Sequence, residues 1–364
     1  MARLLIQDPA RIPRDWAGAS RDPLEFHRRL PGYRPSPLVD APSLAAELEL
    51  GVVWVKDESS RLGLPSFKIL GASWAVYRAL DEHIGGFGAW ATIDDLRARL
   101  DPNLTLAAAT DGNHGRAVAR MAKLLGLGAR IFVPDGTARA RIDAIESEGA
   151  SCEVVNGTYD DAVRRSAEEA NGSCLVISDT SWPGYEAVPR WVIEGYSTIF
   201  HELDDQLSEP PDALVIQLGV GALGAAAVRH YPSGPVMIAV EPDRAACVLA
   251  SVEAGRITTI PGPHDSIMAG LNCGTPSIVA WQWVSTGFDA YLAIDDDRAR
   301  HAMRALARAG IVAGETGAAG VAALIELTGT GGAERLGIND NGSVLVLCTE
   351  GATDPTAYGA IIAT

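Results

Sequence analysis

The chain has 364 residues, 47% of them hydrophobic and 21% charged, which is the make-up of a folded globular protein and excludes a disordered or fibrous one. Its 30 Lys and Arg against 46 Asp and Glu leave a net charge of −16, a field that disfavours binding to nucleic acid or to anionic membranes. Five cysteines without CxxC or Cys/His spacing give neither a disulfide framework nor a metal site, so no metal is expected and a reducing, cytoplasmic setting fits best.

The opening stretch, MARLLIQDPARIPRDW, breaks into charge and proline too soon for the apolar core of a signal peptide. From Val52 onward, short β-rich runs alternate with helix-period runs. The strand candidates are VVWV, LTLAAA, RIFV, CEVV, CLVI, ALVIQL, VMIAV and VLVLC. They are apolar almost without interruption, which predicts parallel sheet covered by helices on both faces. Helices are predicted over 114–125, 138–148 and 297–309, each followed by a glycine suited to a left-handed C-terminal cap. Gly329 to Gly342 reads as a mobile surface loop. The most apolar stretch, Ala213 to Val228, contains a glutamine and three glycines and falls short of the roughly 20 residues a membrane span needs.

So many strands exceed one small sheet, and two parallel-sheet α/β domains with a cleft between them are predicted. Polar crossings near Gly85 to Asp101 and Pro183 to Pro189 divide the chain into a large domain, residues 1–85 and 190–364, and a small domain, 86–189.

Four segments can carry chemistry. In KDESSRLGLPSFKILGASW, Lys68 lies between Phe67 and Ile69 at the opening of an apolar helix. Partial desolvation there favours the neutral amine that attacks carbonyls, while the competing reading is a lysine snorkelling from a helix end. In LAAATDGNHGR a strand end meets a polar turn and a helix start, and Asp111, Asn113 and His114 are placed at the carboxyl edge of a sheet. The same residues also make an ordinary turn and cap. In SDTSWPGY, Asp179 follows the strand CLVI and reads alone as a helix cap.

The fourth segment, ALVIQLGVGALGAAAV, runs from a strand through Gly219, Val220, Gly221, Ala222 and Leu223 into a small-residue helix. Glycines admit backbone N–H groups close to an anion, and the helix adds its positive end. The same run satisfies GxGxxG, with Glu241 near the dinucleotide-fingerprint spacing, so a nicotinamide oxidoreductase stays open at this point. Among the histidines, His27, His83, His201, His230 and His301 read as surface residues.

In order along the chain, KDESSRLGLPSFKILGAS, TDGNHGRAVA, SDTSWPGY, DSIMAGLNCGTPS, ETGAAG and CTEGATDP, with the GVGALG loop, resemble the fold type II pyridoxal-phosphate enzymes. In detail the wording is most similar to the diaminopropionate ammonia-lyase family. The resemblance covers about Val52 to Asp354. It implies an α/β fold of two parallel-sheet domains, pyridoxal 5′-phosphate as cofactor, a small amino acid as substrate, no nucleic-acid or membrane partner, and a homodimer. It implies that Lys68 holds the cofactor covalently, with Phe67 against its ring and Asn113 on its ring hydroxyl. Gly219, Val220, Gly221, Ala222 and Leu223 match the phosphate loop, and Cys348 or Thr349 falls by the pyridine nitrogen.

Asp111 stands where serine and threonine dehydratases carry serine, and a carboxylate moves protons more readily. In the resemblance Asp111 and Asp179 are the two acid/base residues, which implies α,β-elimination of D- and L-2,3-diaminopropionate through aminoacrylate to pyruvate and ammonia. The sequence departs from the family at Leu62, Pro65-Ser66, Gly71-Ala72 and Pro183, residues read as lying around the substrate and not around the cofactor. A dehydratase or β-replacement enzyme acting on another β-substituted amino acid is the alternative.

Overall fold

The computed structural model describes residues 2–7, 19–110 and 112–363. Its strands are β1 (Arg3–Ile6), β2 (Leu38–Asp40), β3 (Val52–Asp57), β4 (Thr105–Ala109), β5 (Gly128–Pro134), β6 (Ser151–Val155), β7 (Cys174–Val176), β8 (Ala213–Gln217), β9 (Val236–Pro242), β10 (Ala290–Ile294) and β11 (Ser343–Cys348). They form a seven-stranded sheet of order β1-β10-β9-β8-β11-β3-β2 and a four-stranded sheet of order β6-β5-β4-β7. The inner pairs of the first sheet and all pairs of the second are parallel. Only β1 and β2 join antiparallel, one at each edge.

Every residue of β8 and of β10 is buried, which is why ALVIQ and AYLAI are almost wholly apolar. The core of the seven-stranded sheet includes Val53, Val215, Ile238, Leu292, Leu324 and Val346. Each such side chain contributes about 1.5–3 kcal/mol by its removal from water. The run CEVV behaves differently. It forms edge strand β6, where Val154 is 52% exposed, so one of its faces goes uncovered.

The strands β1 and β2 escape the sequence reading because each is a short edge strand with no buried residue, whereas β10 carries the apolar signal of the inner strands and is missed despite it. The segment Gly329 to Gly342 is not merely a surface loop. It contains the short helix Gly332–Arg335, and Ala333 and Ile338 are buried in the core of the seven-stranded sheet. The three helices expected before glycines are Asn113–Leu125, Arg139–Glu146 and Asp296–Arg308. Gly126, Gly149 and Gly310 all take positive φ after them.

The chain divides into two compact units. One comprises Met1–Ala19, Pro35–Ser60 and Ile199–Thr364, and the other comprises Ser20–Arg34 and Arg61–Thr198. The first holds the seven-stranded sheet and the second the four-stranded sheet. The sequence reading put residues 1–85 with the large domain; here the lysine helix, Lys68–His83, groups with the four-stranded sheet because it packs along the helix Asn113–Leu125.

Candidate active site

In the unit of the four-stranded sheet, the chain leaves β7 through Ile177 and Ser178 to Asp179. Tyr185 sets this exit: its hydroxyl donates to Val176 O at 2.6 Å and accepts the Ser178 N–H at 3.0 Å. The Trp182 and Tyr185 rings stack at 4.1 Å across the Pro183-Gly184 turn. Asp179, 4% exposed, is thereby presented to three groups. Lys68 Nζ donates to Oδ2 at 2.7 Å, Tyr159 Oη donates to Oδ1 at 2.9 Å, and His114 Nδ1 lies 4.0 Å from Oδ2. His114 Nε2 donates to Ile177 O at 2.8 Å, which ties its ring to the same exit. Burial pushes the Asp179 carboxyl up. The Lys68 ammonium, His114 and the two hydrogen bonds outweigh burial and hold it well below the usual carboxylate range.

Lys68 is the first residue of its helix, and close packing fixes the helix axis. A Cβ on Gly71 would lie 2.5 Å from Tyr196 Cε1, and one on Gly195 would lie 2.5 Å from Leu70 O, so the helix Ala187–Gln206 approaches at backbone distance. Phe67 packs its ring on Tyr196 with centroids 4.7 Å apart. His27 holds the next turn, with Nδ1 2.8 Å from Thr198 Oγ1 and Nε2 3.0 Å from both Leu70 O and Ser73 Oγ. The turn before Lys68 is closed by Arg61 and Leu64 and places Leu62 at φ 52°. Arg120 donates to Leu62 O at 3.3 Å while making a two-pronged pair with Glu148 at 2.7 and 2.8 Å.

Three lysines occur in the chain. Lys56 is fully buried against Glu202 at 2.8 Å, and Lys123 is 58% exposed. Lys68, 17% exposed, combines shelter with access. Asp111 lies outside the described residues. Asn113 opens the helix Asn113–Leu125 and is half-buried.

In the unit of the seven-stranded sheet, β8 runs into Gly219-Val220-Gly221 and then the helix Ala222–His230. A Cβ on Gly219 would stand 3.2 Å from both Cys273 Sγ and Gly270 O, and Gly221 takes φ 97°. The first N–H groups of the helix have no acceptor within it and present positive charge over the glycines. Around this loop the remaining motifs meet. Gly270 N–H donates to Thr316 Oγ1 at 3.1 Å, Thr316 N–H to Glu350 Oε1 at 3.3 Å, and Gln217 Nε2 to Thr349 Oγ1 at 3.0 Å. Cys348 points elsewhere, its Sγ 3.4 Å from Glu350 O within the hydrophobic core. Burial pushes its thiol well up.

Glu241 is no ribose ligand. Its carboxyl is buried and accepts the N–H groups of Val248 and Leu249, each at 2.8 Å, at the start of the helix Cys247–Ala254. That removes the acidic residue on which the dinucleotide reading depended. The surface reading also fails for His27, His201 and His230. His27 is 0% exposed, and the side chains of His201 and His230 are each 7% exposed around Asp204. The ligand atoms of these last three lie within 4.8 Å of one another. His230 Nε2 lies 3.0 Å from both carboxylate oxygens of Asp204.

A family model described as pyridoxal-phosphate dependent enzyme matches residues 29–350. The chain belongs to this family. It is 35% identical over 356 residues to the diaminopropionate ammonia-lyase of Escherichia coli strain K12, covering 93% of this chain and 89% of that one. It also matches the crystal structure of diaminopropionate ammonia lyase from Escherichia coli in complex with D-serine, with TM-score 0.91, 32% identity, and 99% and 97% of the two chains covered. The same enzyme in complex with an aminoacrylate-PLP azomethine reaction intermediate matches with TM-score 0.88 and 32% identity, covering 100% of this chain and 97% of that one.

The chain is therefore a pyridoxal-phosphate dependent lyase of fold type II. Its residues suit a phosphorylated cofactor carrying a carbonyl. Gly219 keeps a cradle that a Cβ would fill, and the sheltered amine of Lys68 is held by a carboxylate. Among the described residues no helix is long and apolar enough to cross a membrane. Tyr159, Gln217 and Tyr185 were missed in the sequence as members of these clusters. Tyr185 sat inside a recognised motif, but Tyr159 opens an ordinary surface-patterned helix and carries no local signal.

Proposed function

We propose that the protein removes the β-amino group of 2,3-diaminopropionate, giving with water one pyruvate and two ammonia. The observation that carries this reading is the Lys68–Asp179–Tyr159 cluster, an amine and an ionised carboxylate held in contact and out of bulk water. The names of the relatives support the substrate.

Lys68 would hold the cofactor, Gly219 to Leu223 its phosphate, Asn113 its ring hydroxyl, Phe67 its ring face, and Thr349, not the core-facing Cys348, its ring nitrogen. When bound, pyridoxal phosphate supplies an electron sink that acidifies the substrate Cα–H. Asp179 takes the α-proton of one enantiomer, being ionised across the neutral range and kept in one orientation by Tyr159 and Lys68. Asp111, assigned from the sequence, takes the proton of the other enantiomer. The base that has taken the α-proton would deliver it to the departing β-amine, which leaves as ammonia, and aminoacrylate hydrolyses to pyruvate and the second ammonia. The homodimer and the cytoplasmic setting belong to the same reading.

The test is 2-oxo acid release by holoenzyme, as pyruvate from D- and L-2,3-diaminopropionate and from D- and L-serine, and as 2-oxobutyrate from L-threonine. Turnover of diaminopropionate at least tenfold above the hydroxy amino acids is expected. Faster turnover of serine or threonine would move the assignment to a dehydratase and direct attention to Leu62, Pro65 and Pro183.

A further inference from the structure

Gln217 is the last residue of β8, two positions before Gly219, and is 2% exposed. Its Nε2 lies 3.1 Å from Thr316 O, 3.0 Å from Leu347 O and 3.0 Å from Thr349 Oγ1. Two of these three are carbonyl oxygens, which only accept. The reversed amide would set its own oxygen against both, so the NH2 group faces them. The amide nitrogen does not accept, so in the third contact the Thr349 oxygen is the acceptor, with one of the two N–H protons shared between it and a carbonyl.

A hydroxyl carries one proton beside its lone pairs. With Gln217 donating to it, Thr349 keeps that proton free, and no acceptor for it exists among the described residues. The residue is 1% exposed, so bulk water does not take the proton either. The result is a buried O–H donor with its oxygen anchored. Cys348 is no substitute, because its thiol faces Glu350 O in the core. Gln217 also leaves Oε1 buried without a partner, a cost that methionine in the same place would avoid.

We propose that Gln217 is a positioning residue: by occupying the Thr349 oxygen as a donor, it commits the Thr349 hydroxyl to donate in turn to the unprotonated pyridine nitrogen of the cofactor. This rests on the reading that Thr349 meets that nitrogen. The consequence is a ring nitrogen that receives a hydrogen bond without a formal positive charge.

The experiment is the ¹⁵N resonance of holoenzyme reconstituted with pyridoxal phosphate labelled at the ring nitrogen, measured together with cofactor affinity. Gln217→Met and Thr349→Val are expected to move the resonance in the same direction, toward a pyridine nitrogen lacking a donor. The double variant should move it no further, and Thr349→Ser should keep the wild-type position. Cofactor affinity should weaken roughly fivefold in Gln217→Met, the equivalent of one ordinary hydrogen bond. If Gln217→Met fails to fold, Gln217→Leu supplies the same readout, because it too removes the donor to the Thr349 oxygen without setting an oxygen against the two carbonyls. A wild-type resonance in the Gln217 variant beside a shifted one in Thr349→Val overturns the proposal and makes Gln217 a strand-end brace. An unshifted resonance in Thr349→Val overturns the reading of Thr349 itself, and the proposal falls with it.

Discussion

Lys68 Nζ and Asp179 Oδ2 lie 2.7 Å apart although 111 residues separate them in the chain. One opens a helix and the other follows a strand, so two different elements must be positioned for the contact to form. The pair joins the amine that would carry the cofactor to the base that would act on the substrate. Asp179→Asn keeps the shape but removes the base. Turnover of one enantiomer of 2,3-diaminopropionate should fall by about 10²–10⁴ while the enantiomer served by Asp111 keeps most of its rate. Separate kcat measurements on the D and L substrates check this; equal losses on both would contradict the division of labour.

Tyr159 reaches Asp179 by a single hydrogen bond of 2.9 Å. A bond to an ionised acceptor contributes about 1.5–3 kcal/mol. Tyr159→Phe leaves the carboxylate less stabilised, so its pKa rises toward the ordinary range. The acid limb of the kcat profile should shift to higher pH by about one unit or more, with little change on the alkaline side.

Two buried carboxyls give stability opposite pH dependences. Asp179 has a folded pKa below its unfolded value of about 3.9, so its contribution is present above that pH and is lost as the solution is acidified. Glu241 is the reverse. Burial, opposed by two backbone N–H donors, pushes its carboxyl up to about 8, and its contribution is full below about pH 4.3 and is lost as pH rises through the folded value. Glu241→Gln should therefore flatten the decline in urea midpoint between about pH 5 and 8. A slope equal to wild type would show that Glu241 does not hold a proton in the folded state.

Close backbone approach makes two glycines sensitive for different reasons. Gly71→Ala would put a methyl 2.5 Å from a Tyr196 ring carbon, and overpacking of this kind costs about 1–3 kcal/mol. Gly219→Ala meets Gly270 O and Cys273 Sγ at 3.2 Å, so the phosphate loop must shift. Thermal unfolding should report mainly the first substitution and cofactor affinity mainly the second.

Much of this was legible in the sequence because the chemistry sits beside strong local patterns. Lys68 opens an apolar helix, Asp179 follows an apolar strand, and Gly221 supplies the positive φ in the turn that follows β8. Tyr159 was illegible because only tertiary contact brings it to Asp179. The role of Glu241 was misread for the same reason: spacing alone places an acid after a glycine loop, and only the fold shows its oxygens consumed by Val248 and Leu249. His27 reads as polar in a polar stretch, yet the structure buries it among Thr198, Leu70 and Ser73.

The attachment of the cofactor is a choice among three lysines, which makes it the most direct test. Holoenzyme is reduced with borohydride, digested, and searched by mass spectrometry for the phosphopyridoxyl group. Lys68 should carry it in near-stoichiometric yield, with Lys123 marked at most in trace and Lys56, fully buried against Glu202, unmarked. A label on either other lysine, or none on Lys68 after incubation with pyridoxal phosphate, would contradict the account.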